Sequence, residues 1–263
     1  MLPLLLTATV NPNGMQGACF SVPERAKMYA EAVSFYVEKG CQVVFAENSG
    51  EMDAVMQLLP DDVVHKVEWV NTECEEYDQS RGKGYNEVIL LRECIAKSAV
   101  IQHSGCFFKL TGRLKVLNIK AMLKECSSRG AGKNLQFLAD CKDHKVYEWL
   151  HMPINGHVGE CRYWYASTGF FQEMMTPRIN ELNDFGDHVF LAEDLMLDVC
   201  RKSRSMTGCF DRFRTQARIS GKGGHNLGKG WSFFYSTDND SVALKVKCGL
   251  RQALRWMMPW WKV

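Results

Sequence analysis

The 263-residue chain has almost no net charge, no long apolar run and no paired cysteine motif. Lysine and arginine outnumber aspartate and glutamate by only 32 to 30, a formal charge of +2. No whole-molecule field therefore draws the chain to nucleic acid or anionic lipid, and any such contact needs a local patch. No window approaches the roughly 20 apolar residues that a membrane-spanning helix requires. The opening Met1–Leu6 stretch lacks a basic segment and reaches polar Thr7, Thr9 and Asn11 too soon for a signal peptide. Eleven cysteines are scattered, odd in number and without a Cys-x-x-Cys pair. That usage fits reduced, mostly buried thiols in a cytoplasmic protein rather than a disulfide framework. Internal repeats and low-complexity linkers are also missing.

What is present is an alternation of strand and helix signals. Leu4–Val10 is a short apolar run stopped by Asn11-Pro-Asn-Gly, a turn sequence. Val22-Pro opens a helix whose apolar positions, Met28, Ala32, Phe35 and Tyr36, keep helical spacing to about Glu38. Gln42–Ala46 is a second strand with a polar exit, Glu47-Asn-Ser-Gly50. Strand, helix and strand within about 45 residues form a βαβ unit, which implies a parallel sheet with a right-handed crossover. Further along, Asp53–Leu59 reads as a helix and Val63–Val70 as a strand. Tyr85–Ser98 is an amphipathic helix, and Cys106–Leu110 and Leu135–Ala139 are strands. Arg162–Ala166, Val189–Ala192 and Trp231–Ser236 are weaker strands, and Glu193–Lys202 is a helix. Arg218–Gly230 is a basic, glycine-rich loop, and Val242–Met258 is a closing helix. The expected fold is α/β, a mainly parallel sheet flanked by helices, formed as one domain over residues 1–240. An amphipathic basic and aromatic segment follows over 241–263. In such sheets ligands bind beyond the carboxyl ends of the strands.

Three polar strand exits, Thr9-Val-Asn11, Glu47-Asn-Ser-Gly50 and Lys109-Leu-Thr-Gly-Arg113, occur in that order. With the blocks LLLTATVNPNG, ERAKMYAEAVSFY, VVFAENSG, RGKGYNEVILLRECIAKS and FFKLTGRLKVLN, they resemble the nucleotide-binding half of GT-A glycosyltransferases. More narrowly, they resemble bacterial enzymes of capsule and lipopolysaccharide assembly. The likeness covers residues 2–120 and thins beyond them. It implies a Rossmann-like GT-A fold, with a nucleotide-sugar-binding half over 1–120 and an acceptor half over 121–240. It also implies a nucleotide-sugar donor (UDP- or another NDP- or CMP-sugar) and a saccharide or lipid-linked acceptor. Thr9, Asn11, Arg25, Glu47, Asn48 and Ser49 would then meet the nucleoside, since amides and carboxylates suit a ribose diol or base edge. Each is equally at home as a turn residue or an ordinary ion-pair partner.

Arg81-Gly-Lys83-Gly84 precedes a helix, where glycines admit a diphosphate to unpaired N–H groups and Lys83 adds charge. A solvated turn reads the same way. The family's usual Asp-x-Asp metal motif is missing; its place reads Phe108-Lys109-Leu110-Thr111-Gly112-Arg113. Lys109 or Arg113 would neutralise the leaving diphosphate in a metal's stead, with Thr111 beside them. No cofactor is expected, and a divalent metal, with Asp140 and Asp143 as the other candidate pair, is not favoured. Glu193-Asp194 resembles the acid pair from which inverting transferases take a general base, with Asp194 preferred by analogy. Both acids equally suit a helix start. Lys222 and His225, in the glycine-rich loop, would close over the diphosphate. Trp164, Tyr165, Phe170 and Phe171 suit either an acceptor site or the core. Gln252-Ala-Leu-Arg255-Trp256 matches a processive-synthase signature but sits in the closing helix, where it reads as part of an amphipathic face. That helix, with Lys245, Lys247, Arg251 and the tryptophans after it, suits a peripheral membrane contact or docking on the core. A non-catalytic nucleotide-binding domain and a nucleotidyltransferase are the rival functions. The latter needs metal carboxylates.

Overall fold

The computed structural model describes residues 1–15, 18–130, 135–153, 155–226, 232–236 and 242–258, with backbone alone at 223–226, 232–236, 243 and 244. The first half runs β1 (Leu4–Ala8), α1 (Val22–Glu38), β2 (Val43–Glu47), α2 (Met52–Met56), α3 (Asp61–Val64), β3 (Val67–Asn71), α4 (Gly82–Lys97), α5 (Ala99–Ser104) and β4 (Cys106–Thr111). The second runs β5 (Lys115–Val116), α6 (Ile119–Gly130), β6 (Phe137–Leu138), β7 (Cys141–Asp143), α7 (Val146–Trp149), β8 (His157–Gly159), β9 (Tyr163–Ser167) and α8 (Thr168–Met174). It ends with α9 (Ala192–Ser203), β10 (Cys209–Phe210), β11 (Ile219–Asn226), β12 (Ser232–Ser236) and α10 (Val242–Met257).

Seven strands form the central sheet in the order β10-β6-β9-β4-β1-β2-β3. β3, β2, β1 and β4 are mutually parallel, with Leu4 opposite both Val43 and Phe108. β9 alone runs antiparallel to its neighbours β4 and β6. β1 and β2 are buried at every position, as expected where helices cover both faces of a parallel sheet. The strand period of two divides their side chains between two cores. Leu5, Val44 and Phe107 pack with Val88, Leu91 and Ile95 of α4. Leu4, Leu6, Phe45 and Phe108 pack with Tyr29, Val33 and Tyr36 of α1 on the other face.

The mixed α/β architecture agrees with expectation, and several details differ from it. Val63 and Val64 are helical rather than extended, because Pro60 and the acids Asp61 and Asp62 start a helical turn and delay the strand to Val67. Val189–Ala192 makes no strand; Phe190 has an isolated bridge to Asn183 and α9 begins at Ala192. The glycine-rich segment after Arg218 is a strand through Asn226, because Ile219 and Ser220 pair with Val116 and Lys115, far away in sequence. Trp164, Tyr165, Phe170 and Phe171 are all buried in the two cores, so none offers a face to an acceptor. Cys141 of β7 and Cys200 of α9 form a disulfide with Cα atoms 6.9 Å apart, which corrects the expectation that every cysteine is a free thiol. No helix among the described residues is long and apolar enough to cross a membrane.

Helix α10 docks on the body through polar contacts. Arg255 makes two 2.8 Å bonds to the Asp140 carboxylate and donates to the Phe213 carbonyl at 2.6 Å. Asp140 also accepts from Tyr163 Oη (2.6 Å) and Phe213 N–H (2.9 Å). Burial pushes the Asp140 carboxyl up, and the charge of Arg255 outweighs it and holds it below the ordinary range. Asp140 is therefore a structural anchor. Its supposed metal partner Asp143 is engaged separately by Arg201, Arg204 and His157. Removing one member of a buried ion pair strands the other, so Arg255→Ala should cost about 3–5 kcal/mol in urea unfolding. Lys247→Ala, on the exposed side of the same helix, should change stability by no more than about 0.5 kcal/mol.

Candidate functional site

A cleft of about 780 Å³ opens at the carboxyl ends of β1 and β4. Its walls come from the β1 exit (Thr7, Ala8, Thr9), the start of α4 (Lys83, Gly84, Asn86, Glu87) and the β4 exit (Thr111, Arg113). The segment from β8 to β9 (Gly159–Arg162) and the entry to α9 (Asp184, Leu191–Glu193) complete it. Because β9 is reversed, its beginning rather than its end reaches this edge of the sheet. The β4 exit can turn back across β1 because residue 112 is glycine. Its N–H bonds the Thr7 carbonyl at 2.9 Å, and a Cβ there would sit 2.6 Å from that oxygen.

One wall of the cleft is basic. Lys83 lies near Arg113 and Arg25, and burial followed by those two charges pushes its ammonium down to about 8. Arg113 lines the cleft with an enclosed Nε that makes no hydrogen bond. Arg25 is 5% exposed and already committed. Its Nε donates to the Thr9 carbonyl at 2.9 Å, and its other nitrogens reach Thr9 and Cys19 carbonyls. It braces the β1 exit from below, and Thr9 lines the cleft on that brace.

Acids line the same cleft. Glu193 lines it partly open to solvent. That partial burial raises its carboxyl above the ordinary value, with Glu87, Asp184 and Glu160 adding to the rise. Glu160 is bonded to Arg162. Glu87 is bonded to Lys109 at 2.7 Å and accepts from Thr7 Oγ1 at 2.8 Å. Among the described residues, Glu193 has no cation bonded to it.

Asp194, the residue preferred from sequence, does not line the cleft. Its Oδ2 accepts the Leu191 N–H at 3.0 Å, so it caps α9. One residue along a helix turns a side chain by about 100°, which separates the capping acid from the cleft acid. Lys109 is also displaced from its expected role. It is fully buried, and its Nζ bonds the Cys161 carbonyl at 2.6 Å as well as Glu87. It forms the floor of the cleft rather than its surface.

The second strand exit does not line the cleft either. Glu47 is 1% exposed and accepts from Val10 N–H (3.0 Å), Ser49 N–H (2.9 Å), Glu51 N–H (3.2 Å) and the Ser49 hydroxyl. Ser49 Oγ in turn accepts from Asn11 N–H at 2.9 Å, and Asn11 Oδ1 closes its own turn on Asn13 N–H. Asn48 joins the brace through its backbone, its N–H donating to the Ala8 carbonyl at 3.3 Å, while its enclosed Oδ1 has no partner among the described residues. Glu47, Asn48, Ser49 and Asn11 thus tie two strand exits together. Lys222 is exposed and lies 5.8 Å from the Phe20 ring centre, outside the cleft lining. The His225 side chain lies outside the described residues.

The amino end of α4 holds a carboxylate from its own chain. Asp184 Oδ2 accepts from Lys83 N–H at 2.6 Å and more distantly from Gly84 N–H at 3.4 Å. Gly82, at φ +88°, leaves room for this, since any Cβ would collide with the Asp184 carboxyl. The helix end expected to receive a diphosphate is therefore satisfied by Asp184, and a ligand anion is left with the Lys83 and Arg113 side chains. Among the described residues no group of three or more His, Cys, Asp and Glu is arranged to hold a metal ion.

Glu160, Arg162 and Asp184 escape a search confined to strand exits, because they precede a reversed strand or sit in a connection. Asp184 has no sequence signal beyond its Asn-Asp turn chemistry. No protein-family model matches the chain, and no curated protein matches it. The functional reading rests on the geometry of the cleft.

Lys83 gives a pH signature. Its folded-state pKa is depressed, so between about 8 and the free-lysine value near 10.4 the unfolded chain holds the extra proton. Its contribution to stability therefore rises with pH across that window. The stability difference between wild type and Lys83→Met, measured by urea unfolding at pH 7.5 and pH 10, should shift toward wild type at the higher pH.

Proposed function

We propose that the cleft binds a nucleotide-sugar donor and transfers its sugar to a hydroxyl of a saccharide or glycolipid acceptor, as in the assembly of bacterial surface polysaccharide. One observation carries this reading. Two cations, Lys83 and Arg113, line one cleft at the carboxyl ends of parallel strands together with an acid of raised pKa, Glu193, which has no cation bonded to it among the described residues. That edge is where α/β sheets bind nucleotides. The likeness of residues 2–120 to GT-A transferases supports the same assignment, and so does the mostly parallel sheet.

The chemistry follows from charge. In a direct displacement the acceptor oxygen bonds to the sugar's anomeric carbon as the bond from that carbon to the donor phosphate breaks. Glu193 takes the acceptor's proton, and its raised pKa makes it a stronger base than an ordinary carboxylate. Negative charge grows on the leaving diphosphate, where the Lys83 ammonium and the Arg113 guanidinium supply the compensation usually given by a metal. A purely binding domain has no need of an acid beside those cations. A nucleotidyltransferase calls for metal carboxylates, and Asp140 and Asp143 are engaged elsewhere.

Slow hydrolysis of nucleotide sugars by water gives a readout that needs no acceptor. Against a panel of nucleotide sugars, wild-type protein should release nucleotide from at least one. Glu193→Gln should slow that release by about 10²–10⁴-fold while KM changes little. Asp194→Asn should lower stability by about 1 kcal/mol and leave the rate within a few-fold. Equal losses in the two variants, or no loss in Glu193→Gln, would remove Glu193 from the mechanism.

A further inference from the structure

The apolar surface that this chain leaves uncovered is concentrated. Among the described residues, eight of the twelve exposed large apolar side chains lie in two segments. Five are on α10: Val242, Val246, Leu250, Trp256 and Met257, each between 56% and 77% exposed. Three, Trp149, Leu150 and Met152, are at the end of α7 and just beyond it.

The placement on α10 is ordered. The helix docks by Cys248, which is buried, and by Gln252 and Arg255, which bond Gln216 N–H, the Phe213 carbonyl and Asp140. At about 100° per residue the five exposed apolar residues fall within an arc of about 120°, its middle about 130° round the helix from the docking residues. Lys245 borders that arc on one edge, and Lys247 and Arg251 border it on the other; all three are exposed. The helix contains no acidic residue. A helix docked only for burial would turn its large apolar side chains inward, whereas five of those described on this one are exposed.

The α7 segment rises from the same anchor. Asp140, held by Arg255, immediately precedes β7, and β7 pairs with β8 on either side of α7. Asp143, at the end of β7, is already bonded to Arg201 and Arg204, so it does not offset the basic border of α10. The segment leaving β8, Gly159–Arg162, is a wall of the cleft.

From this arrangement we infer that α10, with the Trp149–Met152 tip, is an interfacial surface that seats the protein on an anionic lipid bilayer. Bilayer and helix match in both parts: acyl chains take the apolar arc, and anionic headgroups meet the lysines and arginine along its edges. Tryptophan at two positions fits the headgroup zone, and the sequence continues with Trp260, Trp261 and Lys262. The inference does not depend on the sugar-transfer reading, and its test uses no sugar nucleotide.

The test is flotation of the full chain with phosphatidylcholine vesicles, with and without phosphatidylglycerol. Binding to the anionic vesicles alone, weakened by salt, is expected. Leu250→Asp and Trp149→Asp, at exposed positions that should leave the thermal melt unchanged, should each cut the bound fraction about tenfold. Should Leu250→Asp melt early, a Lys245→Gln, Lys247→Gln double variant takes its place, with a several-fold loss expected on anionic vesicles. Absence of binding, equal binding to neutral and anionic vesicles, or binding unchanged in these variants would overturn the inference. So would a concentration-dependent dimer that Leu250→Asp dissolves, since a second copy would then be what covers the face.

Discussion

The buried ammonium of Lys109 sets the arrangement of the cleft. An ammonium with no solvent contact is tolerated only with a partner charge and further hydrogen bonds. Here the partner is Glu87 of α4, and the further bond goes to the Cys161 carbonyl at the entry to β9. Glu87 in turn holds Thr7 of β1. One cation in the middle strand of the sheet thereby fastens α4, β1 and the reversed strand to β4. It also consumes one of the cleft's acids, so the charges that remain at the surface are those it leaves over.

Several of the cleft's other charges are engaged locally. Arg25 is spent on the Thr9 carbonyl and Glu160 on Arg162, each within its own wall. Asp184 is spent on the α4 amino end, where a foreign anion would otherwise bind. Lys83, Arg113 and Glu193 line the cavity beside them. Burial, and after it the crowding of like charge, shifts two of them in opposite directions. Neighbouring arginines lower Lys83 and neighbouring carboxylates raise Glu193, each on top of burial. Such opposed shifts in one cleft are what acid-base and anion chemistry need near neutral pH.

The strands and helices of the first half were legible because their apolar periodicity is strong: α1 spans Val22–Glu38, and β1 and β2 lie within a residue or two of their expected bounds. Weakly patterned pieces misled. Val63–Val64 alternates like a strand but follows a proline and two acids, and Ile219–Asn226 is glycine-rich yet is drawn into a ladder by Val116. The same division holds in the cleft. Thr9, Lys83, Gly84, Thr111, Arg113 and Glu193 gather in one cleft at the edge of the sheet to which the strand exits point. Sequence does not say which polar residue at an exit turns inward to brace it. Glu47, Ser49 and Lys109 have the chemistry of ligand-binding groups and spend it on backbone and on one another. Nor does it separate Glu193 from Asp194, where one residue of helical rotation decides between a side chain in the cleft and a cap.

The central claim is that side-chain cations of this cleft hold a nucleotide diphosphate. Calorimetric titration of uridine diphosphate into the protein in the presence of EDTA tests it most directly. The account predicts binding without metal that weakens at least about tenfold in Arg113→Ala, the loss expected for a charge-assisted contact. Binding that requires a divalent ion, or that is undiminished in Arg113→Ala, would contradict it.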